Sequence, residues 1–403
     1  METNNQKNDQ NIIPNDADKQ QKGVNVPNLR FSEFNGDWIK SRLSNYLVVS
    51  SLRNKNNTFT RNDVLSVSGD LGCVNQIQLL GRSFAGVSLI PYHIVEFGDI
   101  VYTKSPLSEY PYGIIKTNRY QTGIVSTLYA VYKTNKNANN RFIEHYFGLK
   151  SRINNYLKPI VKIGAKHDMK VGNEEVLSNY VCFPDVIEQV KIANFIDLLD
   201  QRIDTQNKII EKYESLISTI RTNIFSSFQG KWTKLCDLVE NKSLQLNRGN
   251  IIPKHPKDDI YKYPVYSSSV QKDGLMGYSD YYMFDKELIT WSIDGGGDIF
   301  FREKHKFCVT NVCGILQLDT NKFSYRFVAE ALKYQHSKMT FDYQTKAHPS
   351  VIEKLYALPD IELNEQDKYS KLFEVLYSKL GNERKYLEII KEQKKYLLLN
   401  MFI

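Results

Sequence analysis

Two groups of loop residues carry side chains suited to a polyanion or to the edges of nucleobases. In the first half of the chain they are Gln76, Arg82 and Ser83, within the run Gln76 to Ser83 (QIQLLGRS). With them come Lys104 and Ser105 at the end of a Val101-Tyr102 strand, Tyr110 close by, and Lys170 further on. In the second half they are Ser267, Ser268 and Ser269 after a strand, Lys272 just beyond, and Ser292 and Asp294 on the way out of Leu288–Ile293. Tyr343, Gln344 and Lys346 follow in a polar-aromatic loop. A Gln amide can pair with adenine, Arg with guanine, and Asp with the cytosine amino group. Lys and small hydroxyls suit phosphate, which positions a nucleic acid without reading it. The plain alternative for each is a solvated surface residue. For Tyr343 it is the edge of a tyrosine-rich core, since the chain holds 26 tyrosines.

No catalytic constellation accompanies these groups. There is no Asn-Pro-Pro-aromatic or Asp-Pro-Pro-aromatic motif, no G-x-x-x-x-G-K-[ST] phosphate loop and no convincing PD…ExK nuclease pattern. The run Asp294-Gly295-Gly296-Gly297-Asp298 is acidic at both ends and would repel phosphate, so it is expected to be a turn. His255 and His348 neighbour prolines with no second ligand at metal spacing, and no metal site is expected. The five cysteines are scattered, which fits free thiols in a reducing cytosol. No apolar run reaches the length of a membrane span and no secretory leader is visible, so a cytoplasmic protein is expected. A net charge of +8 is compatible with a nucleic-acid partner and common elsewhere.

Two long stretches must position these loops. Stepping four and three residues from Ile192 gives Ile196, Leu199, Ile203, Gln206, Ile210, Tyr213, Ile217, Ile220 and Ile224, a heptad seam broken only by Gln206. A second stretch repeats it. Aligning Glu188-Gln189 with Glu365-Gln366 gives Tyr369, Phe373, Leu376, Leu380, Glu383, Leu387, Ile390, Lys394, Leu397 and Met401, with the polar break again at the same step. Both copies open with Pro-Asp (Pro184-Asp185, Pro359-Asp360) and close with Asn-apolar-Phe (Asn223 to Phe225, Asn400 to Phe402). This is an internal repeat.

The expected order is a disordered polar tail over 1–28, a domain over 29–183, a long helix over 184–229, a second domain over 230–358 and a second long helix over 359–403. The fold class is α+β, with two mixed α/β domains. If each domain keeps its termini together, the helices can pair only antiparallel, as an intramolecular coiled coil with pseudo-two-fold symmetry. Inside the domains, strands are expected at Val64–Val67, Ile100–Tyr102, Ile114–Ile115 and Gly123–Tyr132, with one helical face over Arg141–Leu157 and a loop at Lys162–His167. Beyond the entry motif (Gly36-Asp37-Trp38, Gly230-Lys231-Trp232) and the exit Pro-Asp, the two domains share little residue identity. Such a frame suits a reader of two half-sites on DNA, and equally a scaffold with two protein-binding heads.

The pattern resembles the specificity subunit of Type I restriction–modification systems. The resemblance rests on Val26-Pro27-Asn28-Leu29-Arg30-Phe31, Gly36-Asp37-Trp38, the exit Pro184-Asp185 through Ala193, Gly230-Lys231-Trp232, Tyr263 to Ser269 with Gly274 to Tyr278, and Pro359-Asp360-Ile361. One departure is Asp367-Lys368-Tyr369, where the first helix has Val190-Lys191-Ile192-Ala193 after its Glu-Gln. The resemblance implies two target-recognition domains and no catalysis by this chain. It also implies double-stranded DNA, two methyltransferase subunits and restriction/translocase subunits as partners, with S-adenosylmethionine, ATP and magnesium held by those partners. A self-sufficient methyltransferase is the enzyme-class alternative, against which the missing motifs count.

Overall fold

The computed structural model describes residues 25–107, 109–163, 169–269, 271–294, 298–339 and 346–403. Most of the expected polar tail, and residues 164–167 of the expected loop, lie outside them; the first two residues of that loop, Lys162–Ile163, instead form a short strand paired with Met169–Lys170. The chain divides into two compact units, residues 1–204 with 388–403, and residues 205–387. The long helices Val186–Ser227 and Leu363–Asn400 each contribute to both.

In the first unit a four-stranded sheet runs in the order Leu47–Val49, Tyr129–Thr134, Ile100–Thr103, Ile115–Thr117. A hairpin, Leu65–Ser68 with Gly72–Asn75, lies beside it. A parallel bridge from Val64 to Ile124 links this hairpin to Gly123–Val125, which pairs antiparallel with His93–Val95. The second unit repeats this plan. One sheet is ordered Leu244–Arg248, Cys313–Leu318, Leu288–Ser292, Ile299–Arg302. The other sets the hairpin Tyr263–Tyr266 with Leu275–Ser279, joined in parallel to Lys306–Val309, which pairs antiparallel with Phe284–Asp285. Each domain is also closed by a strand pair joining its entry to its exit, Ile39–Arg42 with Tyr180–Phe183 and Trp232–Lys234 with Ala357–Pro359. The duplication therefore extends inside the domains, where sequence identity had faded.

Two expected elements are divided. The helical face over Arg141–Leu157 is two helices, Asn140–Tyr146 and Lys150–Leu157, because Leu149 turns to an extended conformation (ψ 125°) and caps the second. The strand expected over Gly123–Tyr132 is two strands, separated by a turn at Ser126–Tyr129 whose amide closes on the Ser126 carbonyl at 3.1 Å. In the second unit Leu288–Ser292 is buried at every position. Its Trp291 lies flat against Gly314 on the neighbouring strand, where a Cβ would come within about 2.0 Å of the indole. The indole N–H donates to the Ala347 carbonyl at 2.7 Å.

The first long helix starts on Asp185, whose Oδ1 accepts from the Ile187 and Glu188 amides at 2.9 Å, an acidic N-cap that also meets the helix dipole favourably. The two extra residues of the second copy remove Asp360 from that role, and its amide donates to the Lys231 carbonyl at 2.8 Å. The seam is buried as its heptads require. On the first helix Ile196, Leu199 and Ile210 are buried and Ile203 is half-buried; on the second Phe373, Leu376, Leu380 and Leu387 are buried. Within the second unit, the partners of Gln206 and Arg221 are Glu383 and Tyr377, so the numbering falls on one helix as it rises on the other. The pairing is antiparallel. Gly381 lies in unbroken helix with nothing within 4 Å of where its Cβ would stand, so it is tolerated without a bend.

Candidate nucleic-acid interface

The domains are held to the helices by polar contacts that the repeat itself encodes. Gln189 is fully buried. It donates to the Pro184 and Asn137 carbonyls at 2.9 and 3.0 Å and accepts from the Asn139 amide at 2.9 Å. Asn139 in turn caps the helix Asn140–Tyr146 through its side chain. In the second unit Gln366 makes the same set, to the Ile361 and Lys322 carbonyls and from the Ser324 amide, ahead of the helix Tyr325–His336. Arg30 grips buried Glu188 in a bidentate pair at 2.7 and 2.8 Å, and the Trp38 indole adds 3.3 Å to the same carboxylate. The Leu29-Arg30-Phe31 and Gly36-Asp37-Trp38 motifs therefore clamp one end of the first helix. Glu365 is exposed and pairs only with Lys368, so the second copy lacks this clamp.

On this frame the candidate contact residues fall into three groups. Several face solvent: Arg82, whose guanidinium lies 4.6 Å from the Phe84 ring, and Ser105, Lys170, Lys272 and Lys346. Around Arg82 the segment 79–90 also exposes Leu79, Leu80, Phe84, Val87 and Ile90, a patch of the kind that marks an interaction surface. A second group is engaged internally. Gln76 opens a short helix, Gln76–Leu80, where a loop was expected, because Asn75 caps it; its side chain bonds Ser66, Ser83 and the Phe84 amide and so shapes the segment that follows. Ser267 is buried and accepts from Thr310 at 3.0 Å, and Ser292 is buried with its hydroxyl on the Asp294 carbonyl at 2.8 Å. The first joins the ends of two neighbouring strands and the second closes the turn that leaves its own strand. Ser269 accepts from the Gln271 amide, Ser268 is half-buried, and Tyr110 is half-buried against the first core. In the third group, residues far apart in sequence meet: Asp294 and Lys346 form an ion pair at 3.0 Å. Tyr343 and Gln344 lie outside the described residues.

Lys104 is half-buried, and its ammonium donates to Asn173 at 2.5 Å. Burial and the nearby Arg53 charge push its pKa down. Sequence reasoning did not single out Arg53 or His93, nor Arg302. The Arg302 guanidinium lies 3.8 Å from the Tyr266 ring and 4.6 Å from Phe300, its Nε donates to Thr290 at 3.0 Å, and its Nη2 has no hydrogen-bond partner among the described residues. Nothing in the spacing of these residues marks them, since each acquires its surroundings from strands distant in sequence.

A polar cavity of about 450 Å³ in the first unit is lined by Asp70, Lys116, Arg119, Glu144, His145 and Lys394, among others. At its wall the ligand atoms of His145, Asp197 and Asp200 come within 4.8 Å of one another. Arg141 and His145 already occupy Asp197, and Lys394 occupies Asp200. Burial would raise the Asp197 pKa, but the hydrogen bonds from His145 and Arg141 outweigh it and hold the carboxyl at about 2. The group is a domain-to-helix ion network rather than a metal centre. Among the described residues no helix is long and apolar enough to cross a membrane.

This frame sets two like domains each on its own copy of one long helix, and the comparisons with known proteins point to one family. Residues 231–392 match the family model described as Type I restriction modification DNA specificity domain. The specificity subunit of the type I restriction enzyme MpnII of Mycoplasma pneumoniae is 27% identical over 142 residues, covering 34% of this chain and 42% of that one. Two other curated relatives of that organism match over 42% and 46% of their own length, so the chain spans under half of the first relatives it matches. Among solved structures, an S subunit of a Type-I restriction-modification system from M. genitalium superposes with a TM-score of 0.61 at 14% identity, covering 94% of this chain and 99% of that one. A chain from a structure of a type I R-M system gives 0.52, again at 14% identity. The resemblance drawn from the sequence is thereby borne out: residues 231–392 match the Type I DNA specificity domain, and the chain is similar to Type I specificity subunits in sequence and to solved S subunits in fold.

Proposed function

We propose that this chain is the DNA sequence-recognition component of a Type I restriction–modification complex in the cytoplasm, and that it reads a bipartite duplex site with one half per domain. The observation that carries this reading is the repeated topology of the two domains, each joined by the same glutamine contacts to its own long helix. Duplicated domains with unlike loops give two unlike readers on one frame. The chain itself catalyses nothing and binds no cofactor. It positions two methyltransferase subunits, which hold S-adenosylmethionine, and restriction subunits, which use ATP and magnesium. The apolar residues left exposed on the helices, Leu372, Val375, Ile389 and Tyr396 among them, are the surface these subunits would cover.

Adenine methylation mapped across genomic DNA, with and without this chain and with its methyltransferase partner present in both, tests the proposal. A bipartite motif with a fixed gap is expected only when the chain is present. Replacing residues 230–358 by those of a relative is expected to change one half of that motif. Identical methylation in both cells, with the chain expressed and folded, would overturn the proposal in favour of an adaptor with two protein-binding heads.

A further inference from the structure

In the first unit Arg53 and His93 face one another across an antiparallel bridge. Each holds a buried nitrogen that finds no hydrogen-bond partner among the described residues, Nη1 of Arg53 and Nδ1 of His93. Buried polar atoms nearly always find partners, so two orphans on facing residues mark a place that something else completes. His93 is only 2% exposed, so its unpaired nitrogen is no accident of a mobile surface side chain.

Lys104 joins this pair. It leaves the end of Ile100–Thr103, and the Asn173 side chain holds its ammonium at 2.5 Å. Burial, then Arg53 and Lys104, press the His93 pKa down to about 4, and Arg53 adds to the effect of burial on Lys104. Among the described residues, burial and the neighbouring cations are what shift these three groups, and no carboxylate is among those causes. Two cations and a neutral imidazole are thus gathered with no ion pair to a carboxylate of the described residues, which costs stability in the free protein. One bridging water could satisfy the two orphan nitrogens, but it would leave the charge uncompensated. An oxyanion answers both.

We propose that Arg53, His93 and Lys104 form a phosphate-binding cluster that takes one backbone phosphate of the DNA bound by the first domain. The inference rests on the DNA-reading function proposed above. Arg53 and Lys104 donate to the phosphate oxygens, and His93 donates from the tautomer protonated at Nδ1. Asn173 keeps the Lys104 ammonium in place before DNA arrives. A phosphate contact carries no base information, so the cluster fixes how the first domain sits on the duplex and leaves the choice of sequence to the exposed loops.

The test uses the full chain in complex with its methyltransferase partner. Affinity for a duplex bearing the mapped methylation motif, and for a scrambled duplex, is measured over a series of KCl concentrations. Arg53→Gln and Lys104→Gln are each expected to lower the slope of log affinity against log salt by about 1, and to weaken both duplexes to a similar degree. Arg53→Lys is expected to keep the slope, and the variants are expected to melt at or above the wild-type temperature. Wild-type slopes in both glutamine variants would overturn the inference, as would a lowered melting temperature with unchanged slope, the signature of a water-bridged structural pair. If the wild-type complex binds neither duplex, the DNA-reading function itself fails and this inference with it.

Discussion

Gln189 and Gln366 make the same three hydrogen bonds, each to its own domain. Both donate to the carbonyl five residues earlier and to a carbonyl in the loop ahead of the domain helix, and both accept from the amide of that helix's capping residue. The glutamine of the Glu-Gln repeat therefore sets the angle at which each helix leaves its domain. Removing either side chain takes the side-chain partner from three backbone groups, most of them part-buried. Gln189→Leu and Gln366→Leu are each expected to cost about 3 kcal/mol. Native-state hydrogen exchange should show the loss confined to residues 1–204 and 388–403 for the first, and to 205–387 for the second.

Gln206 is buried in the seam, and its amide donates to the Glu383 carboxylate at 2.5 Å and to the Glu383 carbonyl at 3.2 Å. Such a pair fixes register at some cost in stability. Glu383→Leu alone leaves the amide only its 3.2 Å bond to the backbone carbonyl of residue 383 and is expected to destabilise by about 1–2 kcal/mol. The double change Gln206→Leu with Glu383→Leu is expected to match or exceed wild-type stability in urea unfolding. A double variant less stable than the single one would show that the pair contributes more than register.

The closing phenylalanines are core plugs. Phe402 meets Phe142 at 5.2 Å in the first unit, and Phe225 meets Phe327 at 5.4 Å in the second. Phe142 and Phe327 each stand three residues after their helix cap. Arg152 adds a hydrogen bond to the Leu398 carbonyl at 3.1 Å, beneath the Phe402 ring. Phe402→Ala and Phe225→Ala are each expected to cost about 3–5 kcal/mol. Chemical unfolding followed by probes in each unit would check both, and near-neutral effects would exclude the plugging role.

His93 makes the first unit sensitive to mild acid. Its pKa is about 4 in the folded chain, against 6.5 for an ordinary histidine. Between those values the unfolded chain holds a proton that the folded chain does not, so stability is full above the upper value and falls as pH drops towards the lower one. Denaturant midpoints at pH 7, 6 and 5 are expected to decline in the wild type and to decline less in His93→Gln. Parallel profiles would show that His93 is not the group responsible.

The long helices were legible in the sequence because their signal is local. A heptad seam repeats every few residues, and the matched Glu-Gln and Asn-apolar-Phe marks fix the alignment of the two copies. The same alignment gives Gln206 and Glu383 equivalent seam positions. Inside the domains the strands that were expected mostly exist, yet Arg141–Leu157 and Gly123–Tyr132 each proved to be two elements. Propensity and spacing do not show where a single backbone turn interrupts a favourable run.

The candidate contacts divide in the same way. Residue type marked Arg82, Lys104 and Lys346 as able to touch an anion, but not which side chains stay free. Ser267 and Ser292 have the same type as Ser105 and are buried, because neighbouring strands close over them.

By itself, then, the sequence determined the repeat and the antiparallel helix pair, which follow from short-range periodicity and matched motifs, and its motifs carried the resemblance to Type I specificity subunits. The tertiary structure alone decided that the two domains share one sheet topology, that Gln189 and Gln366 bind their domains alike, and that Arg53 and His93 face each other unpaired. Those facts depend on which distant strands lie side by side, and strand register brings together residues that no local spacing connects.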